Sequence, residues 1–586
     1  MFANKCTGIA VRKGCGWTPY VLYLPACVGR ERADPNHRIS KGANMKRYGL
    51  ILGLLAMADA AIAATGTLII SGRVTSPTGT PIGGVKLTLT GAAAKTYTTG
   101  ANGAYSFKSL AAGAYTVVPS KSGLKFCAAS ADLPKLRVNA VEDFSGSAGG
   151  CQAATYTPKA TVVIYDPWIT KADGSKTGLA AYMNWEDPGQ LVNRFRRAIM
   201  SITNGRVQYG VLKTVVVRDF HKKADGFKYT QAGYLACMAD ANACHMPDAA
   251  DILGTLSSNN VCTDANAGLV NELWMFGGPY FGYYESQLTG PNAFDYNSPP
   301  LPGSSCTKLL PIMGFNYERS LAEMIHDNMH RTEATMSRVY GGWAQNRTAN
   351  NFDRFGLVAY QSPDFAYSGC GNAHYTPTST SDYDYANPNP VMSNCDDFFN
   401  YPNLNPPSTV LKTTSCQAWG CNEVAFYRWF FQHLPKVSGT GPDGKFNDWW
   451  RYLIKPNDIF LTEWSTSCSS EYEAGWCRKV IDNAHGSCND NEWATASLPT
   501  GWAKITFPSN KSVTSVTIFD RACGEQVLAG HLEFSDGSAN IAFGALEDSG
   551  TNGATLAFAA KNLKWVKVVI DESIGGNPGI SEIVVK

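Results

Sequence analysis

Ala160-Thr161-Val162-Val163-Ile164-Tyr165, then Asp187-Pro188 and the helical repeat behind it, decide how the middle of this chain is read. A short, uncharged, continuous apolar run suits a buried strand. Asp187 is a helix-capping residue, and Pro188 suits the first helical position, where its missing N–H is no loss. Leu191, Phe195, Ala198, Ile199 and Ile202 then fall on one face at about 100° per residue. Lys213-Thr214-Val215-Val216-Val217-Arg218 and Leu273-Trp274-Met275-Phe276 are further strand-like runs. Strand, helix, strand order predicts an α/β or α+β core. That central domain is expected over residues 156–482, turning loop-rich, aromatic and cysteine-rich after residue 340.

The flanks read differently. On the N-terminal side, residues 66–152 alternate in the strand period and are punctuated by turns such as Pro77-Thr78-Gly79-Thr80-Pro81. The pattern Gly72-x-Val74, Gly79-x-Pro81, Gly84-Val85, Gly103-x-Tyr105-x-Phe107 and Leu110-x-x-Gly113-x-Tyr115-x-Val117 resembles the carboxypeptidase regulatory-like domain. Asn102 departs from it, standing where an aspartate is more usual. The resemblance implies a small immunoglobulin-like sandwich, an accessory module that names no activity. On the C-terminal side, residues 486–586 are again strand and turn. Trp493-Ala494-Thr495, Gly501-Trp502, Ser515-Val516-Thr517-Ile518-Phe519-Asp520-Arg521 and Ile580-Ser581-Glu582-Ile583 resemble the galactose-binding-like, discoidin-type sandwich. Such modules bind glycans through loops, which makes Trp493, Asp520 and Arg521 carbohydrate-binding candidates. Against that stands the reading of a buried tryptophan and a structural ion pair. The expected fold is therefore multi-domain, with two all-β sandwiches flanking a large α/β or α+β domain.

The chain has 586 residues, more than one core can serve. Its formal net charge is only +2, so nucleic acid is not an expected partner. Of 17 cysteines, Cys6, Cys15 and Cys27 stand apart, and the others form an even set starting at Cys127. The choice that closes short loops pairs Cys127 with Cys151, Cys237 with Cys244, Cys262 with Cys306 and Cys370 with Cys395. Cys416 with Cys421, Cys468 with Cys477 and Cys488 with Cys523 complete it. No CxxC pair is present, so an oxidising compartment is expected rather than a thiolate metal cluster. Met45-Lys46-Arg47, the apolar run from Leu50 to Met57 and Ala61-Ile62-Ala63-Ala64 read as an export signal over residues 45–64. Residues 1–44 have no usable pattern and are expected to be a disordered extension. A secreted, extracellular or periplasmic protein with no membrane span in its mature chain follows.

The sharpest chemistry lies in Tyr317-Glu318-Arg319-Ser320-Leu321-Ala322-Glu323-Met324-Ile325-His326-Asp327-Asn328-Met329-His330-Arg331-Thr332-Glu333. Neither glycine nor proline interrupts it, so a helix is expected. His326, His330 and Glu333 then lie within about 60° of one another, with Arg319 and Glu323 on the same stripe. Leu321, Met324, Ile325, Met336 and Val339 take the opposite face. Histidines at i and i+4 offer two imidazoles to one zinc, and Glu333, or His374 from a loop, offers a third ligand. The pattern resembles the zincin helix, His-Glu-x-x-His, except that Asp327 stands where that family has its water-activating glutamate. Asp327 or Glu323 is the expected general base, and Tyr340 or Tyr317 the oxyanion stabiliser. The competing reading is the solvated face of an amphipathic helix. Scarcity favours the metal: the whole chain has 9 histidines.

A second candidate is Trp274-Met275-Phe276-Gly277-Gly278-Pro279-Tyr280-Phe281-Gly282-Tyr283-Tyr284-Glu285. Tyr280, Tyr283 and Glu285 are read as substrate-binding, with a packed aromatic turn as the alternative. Glu272, Glu285, Glu318, Glu323, Asp382 and Asp384 supply carboxylates for a glycoside hydrolase. The preferred reading is an exported zinc-dependent, peptidase-like hydrolase, or its degenerate relative. It would act on a peptide, glycoprotein or other extracellular polymer, its C-terminal module holding a glycan. The alternatives are a non-catalytic glycan-binding adhesin and a glycoside hydrolase.

Overall fold

The computed structural model describes residues 66–341, 350–361, 366–404, 411–441, 443–473, 476–481, 488 and 492–586. The extension, the export signal and the three cysteines expected before residue 65 lie outside the described residues. All seven expected disulfides form, from Cys127–Cys151 to Cys488–Cys523. Among the described residues no helix is long and apolar enough to cross a membrane.

The N-terminal module is a two-sheet sandwich. Ala104–Leu110, Leu68–Thr75, Phe144–Ser147 and Lys125–Phe126 make one sheet, with Ala140–Val141 paired to Leu68–Thr75. Lys95–Thr98, Lys86–Gly91, Gly113–Ser120 and Ala131–Leu136 make the other. The alternation works as a strand period should: Leu87, Leu89, Tyr115 and Val117 point inward against Ile70, Val74, Tyr105 and Phe107. Gly103 has φ +71°, and a Cβ there would meet the Val74 carbonyl oxygen at 2.4 Å, which explains the glycine.

The C-terminal module is built on two strands of 20 residues, Gly501–Asp520 and Ala554–Ser573. Their mutual register shifts between Thr506 and Lys511 and again between Val513 and Ser515. The strands thereby serve both layers of a sandwich, with Ala503, Ile505 and Phe507 sharing a core with Val513, Val516 and Ile518. The sheet begins ahead of residue 486, because Ser465–Cys468 pairs with the first half of Gly501–Asp520 and Val480 lies in the same core.

The central sheet runs Gly210–Val217, Lys159–Tyr165, Glu272–Gly277, Leu310–Asn316, Ser286–Thr289. The first four are parallel and the last is an antiparallel edge. Lys159–Tyr165 and Glu272–Gly277 are buried almost throughout, as strands covered on both faces must be. The helix Pro188–Ile202 crosses between the first two strands, and the Asp187 carboxylate caps it by accepting from the Gln190 N–H. Phe195 packs edge-on against Trp274, 5.2 Å between ring centres. This helix also carries the N-terminal module: Arg194 is buried between Glu142 of the sandwich and Glu186.

The strand Leu310–Asn316 leads almost directly into the 21-residue helix Ser320–Tyr340, closed by Gly341 in the left-handed conformation at φ +83°. Beyond Arg319, the polar stripe of this helix is largely withdrawn from solvent. Glu323, His326 and Asp327 are buried along with Met324 and Ile325, because the loop 366–385 and the helix Glu423–His433 cover the stripe. A further side holds Arg331, 1% exposed, which donates to Glu272 at 2.7 Å and to the Leu453 carbonyl. The helix is the axis of the domain, and its buried polar groups must find partners.

Candidate metal centre

His326 and His330 lie one turn apart on the long helix, and His374 is delivered by the loop closed by Cys370–Cys395. One nitrogen from each comes within 4.8 Å of the other two. Each of the helical imidazoles is oriented from behind. His326 donates from Nδ1 to Tyr427 Oη at 2.7 Å, and Tyr427 passes its own hydrogen to Glu423 Oε1 at 2.8 Å. His330 donates from Nδ1 to Glu333 Oε2 at 2.9 Å. These bonds leave both Nε2 lone pairs directed away from the partners, the tautomer that a metal requires. Glu333 Oε1 accepts from the Ala373 N–H at 2.7 Å, so one carboxylate fixes His330 and the backbone next to His374. Tyr385 Oη stands 2.7 Å from Tyr427 Oη and 2.9 Å from the Ala373 carbonyl oxygen, and its single hydrogen serves one of the two.

The third histidine of the cluster is therefore His374. Glu333, the simpler expectation for that place, has both oxygens engaged elsewhere and serves as the brace. Tyr340 is also displaced from its expected role. It is ten residues beyond His330, about 15 Å along a helix, and its hydroxyl lies 3.1 Å from Tyr401 Oη. Tyr317 precedes the helix and donates to the Tyr165 carbonyl at 3.0 Å inside the core. Besides Tyr427, a second phenol reaches the histidines: Tyr383, with Oη 3.2 Å from His374 Nε2. It is 54% exposed, and its φ of +59° is held by an N–H bond to the His374 carbonyl. No local pattern marks Tyr383 or Tyr427. Their roles come from a loop and a helix far along the chain, although Glu423 and Tyr427 do share a face at i and i+4.

A group of carboxylates sits beside the imidazoles. Glu323, Asp327 and Glu285 bring one oxygen each within 4.8 Å of one another. Glu285 Oε2 is also 3.8 Å from His330 Nε2. Asp327 is 0% exposed and faces this carboxylate group, not open solvent. Burial pushes its pKa far above the usual carboxylate range, and the neighbouring Glu323 and Glu285 add to the effect. Burial likewise raises Glu323 to about 7, against the pull of Arg319 and with the push of Glu285 and Glu423. His326 is lowered to about 3 by burial and then by His330 and His374, so it is neutral at ordinary pH. His330 loses some basicity to burial but regains more from Glu333, and ends above the ordinary histidine value.

Of the glycine-rich run, Glu285 alone joins the site. Tyr283 is half-buried beside His221, with its hydroxyl turned inward and unpartnered among the described residues. Tyr280 gives its carbonyl to Lys223 Nζ at 2.7 Å. A Cβ on Gly277 would meet Tyr283 at 2.6 Å and Phe281 at 2.7 Å, which identifies the run as a packed aromatic turn. Of the other carboxylates, Glu272 is locked by Arg331, Tyr209 and Trp274, and Asp384 accepts from Thr380 and Asn387. Glu318 stands on the surface ahead of the helix, while Asp382 adjoins Tyr375 and His374.

The carbohydrate candidates of the C-terminal module are interior. Trp493 is 0% exposed and donates its indole N–H to the Ser470 carbonyl at 2.7 Å. Arg521 lies between Glu492 and Glu525, each at 2.8 Å. The Asp520 carboxylate accepts from the Arg521 and Val527 N–H groups. Trp493, Asp520 and Arg521 are thus buried in an ion-pair and hydrogen-bond network of the module.

Two family models match parts of the chain. Residues 69–133 match the carboxypeptidase regulatory-like domain, as the glycine and aromatic spacing led us to expect. Residues 462–586 match a domain of unknown function, DUF7402. No curated protein matches the chain. Solved structures that resemble part of it include the family 32 carbohydrate-binding module of Clostridium perfringens NanJ in complex with galactose. It is 19% identical, covering 21% of this chain and 94% of that one, with a TM-score of 0.18. A chitosan-binding module of a Paenibacillus chitosanase/glucanase is 15% identical, over 21% and 93%, also at 0.18. A further family 32 module from Clostridium perfringens, in complex with GalNAc-β-1,3-galactose, is 19% identical over 21% and 96%, at 0.18.

Proposed function

We propose that the central domain is a zinc-dependent hydrolase of an extracellular peptide, glycoprotein or related polymer, with the C-terminal sandwich as a glycan-binding accessory. The supporting observation is the cluster of His326, His330 and His374, two of whose imidazoles are held by Tyr427 and Glu333 with Nε2 free. Three imidazoles suit zinc, and three protein ligands with a fourth position open are the catalytic arrangement. Zinc bound there would supply Lewis acidity for a scissile carbonyl and lower the pKa of an attacking water.

The chain's own groups complete the chemistry. Asp327 is too short and too deep to take the role of the zincin glutamate. Glu285, approaching from the residue before the edge strand, sets its Oε2 3.8 Å from His330 Nε2, on the side away from Glu333, and it takes the water proton in this reading. A general base so placed contributes about 10²–10⁴-fold. Tyr383 Oη, exposed beside His374, donates to the developing oxyanion. The glycan role of the C-terminal module rests on its residue pattern, with loops other than those of Trp493, Asp520 and Arg521 as the contact.

Elemental analysis of the purified chain tests this directly. One zinc per chain is expected, lost in His326→Ala and His330→Ala. Zinc absent from the wild type, or equal in the variants, would sink the reading.

A further inference from the structure

Next to the imidazoles lies a group whose donors are all oxygen. Glu323 and Asp327 are four residues apart on the long helix, and Glu285 closes the group from across the sheet edge. Their charge is answered only in part. Arg319 Nη1 is 2.7 Å from Glu323 Oε1, and Asn297 Nδ2 donates to Glu285 Oε2 at 2.5 Å. Asp327 has nothing of the kind: it is 0% exposed, and neither carboxylate oxygen has a hydrogen-bond partner among the described residues. A buried carboxylate without partners costs several kcal/mol, and buried charges are normally paired or bound to a metal.

We propose that Glu285, Glu323 and Asp327 hold a hard divalent cation of the calcium class, a second metal site abutting the histidine centre. The inference rests on the zinc reading only for its neighbour; its own ligands are separate. Oxygens around calcium stand about 2.3–2.6 Å from the ion, so any two in one shell are within about 5 Å of each other. The observed spacing of 4.8 Å or less meets that limit. With neither sulfur nor nitrogen in the group, a hard cation is favoured over zinc. The charges also close, since three carboxylates balance a divalent ion and the Arg319 guanidinium. Asp327, with both oxygens free, is the bidentate ligand. Glu285 has one oxygen for this cation and one for the histidine side. The aspartate that replaces the zincin glutamate is then explained: one methylene shorter, it stays inside with Glu323 and binds a second ion.

The test strips the full chain of metal with a chelator, restores one equivalent of zinc, and titrates terbium as a luminescent calcium probe, with calcium as competitor. One calcium-displaceable terbium site per chain is expected in the wild type. Asp327→Asn should weaken it at least tenfold while zinc content is unchanged. Glu323→Gln provides the same reading should the first variant fail to fold, as judged by near-ultraviolet circular dichroism. No stoichiometric terbium site in the wild type, or undiminished affinity in a folded variant, overturns the proposal. A chain that binds terbium there but never zinc overturns the zinc reading instead and leaves this one standing.

Discussion

Glu333→Gln is the most discriminating single change at the histidine cluster. Glu333 accepts two hydrogen bonds, from His330 Nδ1 at 2.9 Å and from the Ala373 N–H at 2.7 Å. Glutamine keeps the length but has one acceptor oxygen, so its amide N–H₂ must face one of the two donors. Either His330 loses its orientation or the backbone beside His374 loses its anchor. Removing such an outer partner typically lowers metal affinity 10–100-fold, about 1.4–2.7 kcal/mol. A single lost bond to a charged acceptor, about 1.5–3 kcal/mol, falls in the same range. Competition for zinc with a chromophoric chelator reads the affinity, and elemental analysis at saturating zinc should still return one ion per chain. His374→Ala should cost more, because it removes a ligand. The reasoning fails if Glu333→Gln binds zinc within twofold of the wild type. It fails equally if His374→Ala is unaffected while Glu333→Gln loses stoichiometric zinc, which would make Glu333 the ligand.

Other consequences are open to simple measurement. Arg331→Met strands Glu272 in the core, where both partners are 1% exposed, and should cost about 3–5 kcal/mol in urea denaturation. His221, lowered to about 4 chiefly by burial, stays neutral in the fold while the unfolded chain protonates near 6.5. Its contribution is therefore complete above pH 6.5 and is lost as pH falls toward 4. The loss reaches about 3 kcal/mol at about 1.4 kcal/mol per pH unit, and His221→Gln should flatten that slope. Trp493→Ala removes an indole that is 0% exposed and should destabilise the C-terminal module by about 3–5 kcal/mol. On a glycan array that variant should lose signal only in step with unfolding; selective loss in a folded protein would put Trp493 at a ligand surface after all.

Much of the fold is legible in order along the chain, because its signals are local. The alternation of Val85 to Leu89, the uncharged run 160–165 and the Asp187-Pro188 cap each act within a few residues, and each forms the expected element. The disulfides also yield to local reasoning, since every one closes a loop of 44 residues or fewer. The site is legible only along one helix. His326 and His330 are visible through their spacing, whereas Tyr427 and Tyr383 become partners through packing alone. Amphipathic periodicity likewise misses the burial of the polar stripe, because the loop 366–385 that covers it has no periodicity.

The amino-acid order alone determines that strand-rich flanks enclose an α/β domain and that two histidines share a helix face, since both follow from the strand and helix periods, while the resemblance to known families implies that the flanks are sandwiches. Which residue joins them is a tertiary matter. Glu333 is adjacent in the helical projection, yet the loop places His374 there and turns Glu333 into a brace for both. The depth of Asp327 and the approach of Glu285 are likewise decided by how the sheet edge packs on the helix, a contact between segments some forty residues apart. Short-range chemistry sets the elements; the charges that the fold buries together set what the site can bind.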